Sequence, residues 1–145
     1  MSAADDRKIV LIVRDTRLDE LVARFNTVQQ AEFYVEHLGA AFGDYLDEQR
    51  QYRAAVEEAE GAARAFGRLQ RVNRRYLGNF IFGADDIVVV LGQDGLVANT
   101  LKYLDGQHVL GVNPDRKRWD GVLLPFVPGD LAKVLPEEAA GRRPL

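Results

Sequence analysis

The chain has 145 residues, two histidines, no cysteine and a formal net charge of −3. This length suits a single domain or one lobe of a larger protein, and the missing cysteines exclude a disulfide framework and any site that needs cysteine ligands. The net charge gives no reason to expect nucleic acid as a partner, and the longest apolar runs are far too short to span a membrane.

The N-terminal third predicts one buried strand followed by two helices. Residues 1–6 are polar and lack a signal-peptide core, which indicates a cytoplasmic protein. The unbroken apolar run Ile9–Val13 predicts a central strand of a sheet. Thr16 and Asp19 have the spacing of a capping box, which predicts the start of a helix. Gly39 is the expected end of the second helix.

A long helix is predicted over residues 42–66. Side chains of a narrow seam recur there three and four positions apart, at Phe42, Tyr45, Gln49, Tyr52, Val56, Ala59, Ala63 and Phe66. Such a seam is typical of helix–helix dimers and predicts a homo-oligomer that forms through helix 42–66. The alternative, which we favour, is that the seam packs against another part of the same chain.

The segment after this helix is rich in arginine. It carries four arginines, Arg68, Arg71, Arg74 and Arg75. They indicate either a phosphate-binding patch or, more simply, a solvated face. A short strand is expected around Val72, and a turn of helix over Leu77–Phe82.

The stretch most suggestive of chemistry lies in the middle of the chain. Ile87–Leu91 is an unbroken apolar run rich in β-branched residues, which predicts a strand buried on both faces. Gly92 and Gly95 bracket Asp94, and a helix is predicted over residues 96–104. A glycine turn before a helix predicts an anion site, because free N–H groups and the positive end of the helix dipole meet there. The alternative is that Asp94 only caps the helix.

The C-terminal third predicts one more strand, a loop and a short helix. His108–Val112 has the length and composition of a strand, and Pro125 argues against a central strand in the next apolar segment. Asp130–Leu135 is predicted as a short helix. We therefore place an α/β domain over residues 1–135, and a polar tail or interlobe linker over residues 136–145.

Strands that alternate with helices predict an α/β fold, with an open, mostly parallel Rossmann-like sheet and flanking helices in a single lobe. Ligands of such sheets bind outside the carboxyl ends of the strands. Asp94 and Asn113 each follow a predicted strand, so we expect them to share one site. His37 and His108 are expected to be structural. Trp119 is expected to pack over a core edge or to stack on a nucleotide base.

Two motifs resemble those of NAD kinases. Residues 91–96, Leu-Gly-Gln-Asp-Gly-Leu, are similar to the Gly-Gly-Asp-Gly-Thr motif that NAD kinases share with diacylglycerol kinases and phosphofructokinases. Residues 109–113, Val-Leu-Gly-Val-Asn, resemble the Leu-Gly-Ile-Asn strand that follows it in NAD kinases. Their order and interval agree with the family, and the resemblance covers residues 8–14 and 85–135.

The resemblance implies the N-terminal lobe of a kinase that transfers a phosphoryl group from ATP or polyphosphate to the 2′-hydroxyl of NAD, which yields NADP. By its place in the motif, Asp94 would be the general base. The residues implied to line the nucleotide phosphates are Gly92, Gln93, Gly95, Leu96 and Asn113. Mg²⁺ is implied on the phosphates, and no residue is assigned as its ligand.

The chain departs from the family pattern at two motif positions. Gln93 stands in place of a glycine and Leu96 in place of the threonine, so a side chain occupies the phosphate approach and a hydroxyl donor is missing. The resemblance also implies a second lobe, with an Asn-Glu motif and most NAD contacts, that would begin near Leu145. We therefore expect little or no activity from these residues alone. The open alternatives are a non-catalytic nucleotide-binding or dimerisation module, and a relative that acts on a lipid or a sugar.

Overall fold

The computed structural model describes residues 7–140, which divide into two compact units. The first unit takes in the chain up to Arg14 and from Ala55 onward, and the second is Asp15–Ala54. None of the helices in the described residues is long and apolar enough to cross a membrane.

The first unit is built on a sheet of four parallel strands in the order β2-β1-β3-β4. The strands are β1 Lys8–Val13, β2 Arg68–Asn73, β3 Ile87–Leu91 and β4 His108–Val112. Every residue of β3, and every residue of β1 after the first, is buried, as expected for apolar runs that are covered on both faces. The predicted open, parallel, Rossmann-like α/β sheet is therefore confirmed.

The strand order reverses beside β1. From β1 the chain adds β2 on one side, and it later adds β3 and then β4 on the other side. The carboxyl ends of β1 and β3 are therefore neighbours at the point where the order reverses, which is where ligands bind in open α/β sheets. The glycine turn that follows β3 lies at this edge.

One face of the sheet carries a large apolar cluster. Even-numbered residues of β1 and β3 pack there with Leu77, from a 3-10 helix over Arg74–Asn79, and with Leu96 of helix α4, Asp94–Leu101. The 3-10 helix begins and ends three residues earlier than the turn of helix that was predicted over Leu77–Phe82. Of the apolar residues of that predicted turn, Phe80 and Phe82 pack partly buried against the cluster, whereas Ile81 is exposed.

The C-terminal helix continues beyond the predicted domain boundary. Helix α5 is Leu131–Ala139, so residues 136–139 are helical and do not belong to a polar tail. Glu138 is buried, and its carboxylate contacts Nδ1 of His108 at the start of β4, which ties the helix to the sheet. His108, which was expected to be structural, thus contacts a buried carboxylate. The rest of the predicted tail, residues 141–145, lies outside the described residues.

The second unit contains α1, Arg17–Phe25, α2, Val28–His37, and the first part of α3, Phe42–Phe66. The bounds of α3 are those predicted for it. The predicted capping box is confirmed, since Oγ1 of Thr16 accepts the N–H of Asp19 at 3.2 Å and Oδ2 of Asp19 accepts the N–H of Thr16 at 2.9 Å. Gly39 has a φ of +83°, the left-handed conformation expected just after a helix.

The seam along α3 is buried within the chain. Tyr52, Val56, Ala59 and Ala63 are all buried when the chain is considered alone. Side chains that are already covered cannot at the same time meet a second copy of the chain. The burial therefore favours packing within the chain over the dimer contact, and a homo-oligomer stays a prediction.

Candidate functional site

The turn after β3 is tight because Gly92 packs directly against the helix that follows. A Cβ atom at Gly92 would lie 2.8 Å from Cδ2 of Leu96, and the N–H of Gly92 donates to the carbonyl of Val112 in β4 at 3.3 Å. Gly95 is exposed, and a Cβ atom there would meet no atom within 4 Å. Gly92 thus serves the packing of the turn, whereas Gly95 faces open space.

Helix α4 begins two residues before its predicted start and ends three residues before its predicted end. Gln93 is the N-cap residue and makes no capping hydrogen bond with its side chain, so the alternative in which Asp94 caps the helix is wrong. Leu96 is buried in the core, so its side chain is not on the surface of the turn. The turn presents Gly95 and the partly exposed side chains of Gln93 and Asp94.

The carboxylate of Asp94 holds a distant part of the chain. Its Oδ1 accepts the backbone N–H of Leu123 at 2.8 Å, and its Oδ2 accepts that of Val122 at 3.2 Å. Hydrogen bonds to a carboxylate are roughly twice as strong as those between neutral groups, so this pair fixes the orientation of the carboxylate. No local pattern in the sequence marks Val122 as a donor to a residue 28 positions earlier. The only signal of this contact in the sequence was the acidic side chain of Asp94, whose carboxylate needs hydrogen-bond donors.

Asn113 lies just after β4 and is 2% exposed. Its Oδ1 accepts the N–H of Asp115 and its Nδ2 donates to the carbonyl of Trp119, both at 2.9 Å. Its own backbone N–H donates to the carbonyl of Phe126 at 2.7 Å. The side chain of Asn113 is therefore engaged in holding the loop that follows β4.

The segment after β4 joins the two predicted site residues. Asn113 binds the first half of this segment, and Asp94 binds its end. Gly121 has a φ of +70°, and a Cβ atom on it would lie 2.7 Å from Nδ2 of Asn113. Gly111 in β4 permits the close approach of this segment, because a Cβ atom there would lie 2.0 Å from the carbonyl oxygen of Leu123. The two motifs therefore meet at the carboxyl edge of the sheet, and the loop backbone is what connects them.

Trp119, in the same segment, contacts the residue that follows β1. The guanidinium of Arg14, which follows β1, lies 5.9 Å from the centre of the Trp119 ring, a cation–π contact. The carbonyl of Trp119 accepts a hydrogen bond from Nδ2 of Asn113, so the backbone of Trp119 stays beside the end of β4 and the contact with Arg14 is made by the two side chains. Trp119 is half-buried, and both alternatives for it, packing over a core edge and stacking on a nucleotide base, stay predictions.

The residues around the turn suit a magnesium ion only if bound phosphates supply some of its ligands. Within residues 7–140, no group of three or more His, Cys, Asp or Glu side chains is placed to hold a metal ion. Mg²⁺ commonly binds through one or two carboxylates together with substrate phosphates and waters. Asp94 offers one such carboxylate at the turn.

The candidate site thus consists of an open glycine turn at a helix N-terminus, a carboxylate and the loop whose backbone N–H groups bind that carboxylate. No protein-family model matches the chain, and no curated protein matches it. The features that point to a function are therefore the two motifs and their meeting at the sheet edge.

Replacing Asn113 by Ala should destabilise the protein by about 1–3 kcal/mol, because the N–H of Asp115 and the carbonyl of Trp119 would lose a buried partner. Urea unfolding followed by the fluorescence of Trp119 measures this loss. Asn79→Ala is the matched control at an exposed position and should change the stability by less than about 0.5 kcal/mol. Equal unfolding free energies for the Asn113 variant and the parent would show that the loop does not depend on this side chain.

Proposed function

We propose that the chain forms the nucleotide-binding lobe of an NAD kinase-like phosphotransferase, which transfers a phosphoryl group from ATP or polyphosphate to the 2′-hydroxyl of NAD. One observation carries the proposal. The carboxylate of Asp94, from the first motif, is bound by the backbone of the loop that follows the second motif. A fixed carboxylate at the ligand-binding edge of an α/β sheet is what the proposed base requires.

The proposed chemistry needs little beyond positioning. Phosphoryl transfer requires a base near the attacking hydroxyl and hydrogen-bond donors around the phosphates. Asp94 supplies the carboxylate, and its two N–H partners keep it oriented. Within residues 7–140 the N–H groups of Asp94 and Gly95, at the start of α4, have no partner and are free to bind a phosphate, whereas the N–H of Leu96 already donates to the carbonyl of Gln93. Mg²⁺ on the phosphates would neutralise part of their charge.

A non-catalytic nucleotide-binding module is the second candidate, and a specific observation favours it. Both carboxylate oxygens of Asp94 already accept hydrogen bonds from the backbone. To accept a proton from a hydroxyl, the carboxylate would have to use one of its remaining lone pairs. Leu96 is buried where the family motif has a threonine, so it offers no hydroxyl to a phosphate. These features suit binding without transfer.

The turn can be blocked at Gly95 without disturbing the core, since a Cβ atom there would meet no atom within 4 Å. We expect the parent chain to bind Mg-ATP or NAD in a calorimetric titration. The Gly95→Leu variant should bind about tenfold to a hundredfold more weakly, because its side chain would keep a phosphate from the helix N–H groups. Gly61→Leu is the matched control, since Gly61 is exposed in α3 and its Cβ position is equally open.

Each outcome of this titration tests the proposed phosphate site. Unchanged affinity in Gly95→Leu would place any bound nucleotide away from the turn and reject the proposed phosphate site. No binding of either nucleotide to the parent chain would reject a preformed site in these residues. Binding that is lost only in Gly95→Leu would support the site and justify the activity measurements described below.

A further inference from the structure

The side chains of Trp119 and Arg14 meet across the carboxyl end of β3. The strands β1, β3 and β4 are aligned, so the residues that follow them, Arg14, Gly92 and Asn113, form one row with Gly92 in the middle. Nδ2 of Asn113 binds the carbonyl of Trp119, which keeps its backbone on the β4 side of this row. The indole ring nevertheless lies 5.9 Å from the guanidinium of Arg14 on the β1 side. The contact therefore spans the start of the glycine turn.

The indole of Trp119 keeps an open hydrogen-bond donor at this edge. Within residues 7–140 its Nε1–H forms no hydrogen bond, and it is not among the buried polar atoms that lack a partner, so it reaches solvent. A largely buried tryptophan usually pairs this N–H with an acceptor. Because ligands of open α/β sheets bind at the same edge, the half-buried ring and its open donor are available to a ligand that has a flat apolar body and an acceptor at its rim.

We propose that the indole of Trp119 stacks on the adenine base of a nucleotide bound at the carboxyl edge of the sheet. This inference rests on the proposed function and names the residue that binds the base, which the two motifs leave open. Adenine offers a flat face to the ring and nitrogen acceptors at its rim to the Nε1–H. The guanidinium of Arg14, in contact with the ring, adds a second planar group that can lie against a base.

The first test is a calorimetric titration of the whole chain with Mg-ATP, NAD and inorganic tripolyphosphate, which has the phosphate chain of ATP without the base. Trp119→Leu should bind Mg-ATP or NAD about tenfold more weakly, since one base stack is lost, and should bind tripolyphosphate within about twofold of the parent. Trp119→Phe keeps an aromatic face and should retain most of the affinity. The matched control, Tyr103→Leu, removes an exposed ring beyond the far end of α4 and should change each affinity by less than about twofold.

The second test uses the fluorescence of Trp119, the only tryptophan of the chain, which reports on the ring directly. Adenosine has the base but no phosphate, and it should quench this fluorescence in the parent and in Gly95→Leu alike. Urea unfolding followed by circular dichroism identifies conditions in which every variant is folded, so that a lost affinity is not a lost structure.

Three results would overturn the inference. Unchanged affinity of Trp119→Leu for both nucleotides would remove the ring from the site. Equal losses for Mg-ATP and tripolyphosphate would mean that the ring supports the loop and does not bind the base. Fluorescence of Trp119 that responds to neither adenosine nor the nucleotides would mean that no base reaches the ring.

The Gly95→Leu variant separates this inference from the proposed function. Tripolyphosphate binding that is lost in Gly95→Leu, together with quenching by adenosine, supports both. Quenching without any tripolyphosphate binding would support the stack and count against the turn, and thus against the proposed function. Tripolyphosphate binding that depends on Gly95, without quenching, would leave the kinase proposal standing and overturn the role of Trp119. A larger loss for Mg-ATP than for NAD in Trp119→Leu would assign the stacked adenine to the phosphoryl donor, and the reverse would assign it to the acceptor.

Discussion

Replacing Asp94 by Asn should lower the rate of NADP formation by about 100- to 10,000-fold, the range that a general base typically contributes. The substitution keeps the size of the side chain but removes the group that would accept the ribose proton. Nucleotide binding should change little, since the N–H groups of α4 stay in place. The measurement is the initial rate of NADP formation from NAD and Mg-ATP, in protein that carries the second lobe implied by the resemblance as well as these residues.

The same substitution weakens the anchor of the loop, and this effect has to be separated from lost catalysis. A carboxamide has a single acceptor oxygen, so the N–H of Val122 or of Leu123 loses its partner at a cost of about 1–3 kcal/mol. Rates are therefore compared under conditions in which urea unfolding shows each variant to be folded. Asp105→Asn, at an exposed turn, is the matched control and should keep full activity.

The outcome decides between the two candidate functions. Full activity in Asp94→Asn would remove Asp94 from the role of base. A parent protein that binds nucleotide at the turn but forms no NADP would instead favour the non-catalytic module, in which Asp94 serves only to hold the loop.

The Gly111→Ala variant should lose about 3 kcal/mol of unfolding free energy, the upper part of the range for overpacked sites. The added Cβ atom would lie 2.0 Å from the carbonyl oxygen of Leu123 and 3.3 Å from Cα of Leu124. These are backbone atoms, so a side-chain rotation cannot relieve the contact. The loop would have to move away from β4 and would take the N–H of Leu123 away from Asp94. Urea unfolding measures the stability, and nucleotide affinity should fall with it.

Gly61→Ala is the matched control for this variant. Gly61 lies within α3, and a Cβ atom there would meet no atom within 4 Å. Alanine has the higher helix propensity, so the control should gain up to about 1 kcal/mol. If Gly111→Ala were as stable as the parent, the loop would have room to shift without cost, and its contact with Asp94 would not depend on Gly111.

The sequence by itself was sufficient where the physical cause is local. The strands β1 and β3 were predicted from unbroken apolar runs, because a strand covered on both faces has to be apolar at every position. The capping box at Thr16 was predicted from a hydroxyl and a carboxylate three positions apart, which reach each other's backbone N–H within one helical turn. The strand around Val72 and the bounds of α3 followed in the same way from short-range patterns.

Only the tertiary structure decided the contacts of the site. The sequence left the role of Asp94 open between helix capping and catalysis. Its partners are the N–H groups of Val122 and Leu123, which no pattern in the sequence distinguishes from other backbone donors. The predicted end of the last helix at Leu135 was wrong, because α5 continues across Pro136 to Ala139 and its buried Glu138 contacts His108. Backbone donors and burial arise only when distant segments pack together. For that reason the sequence determined which strands form and which edge carries the candidate site, and the packed sheet determined what the side chains of Asp94 and Asn113 at that edge bind.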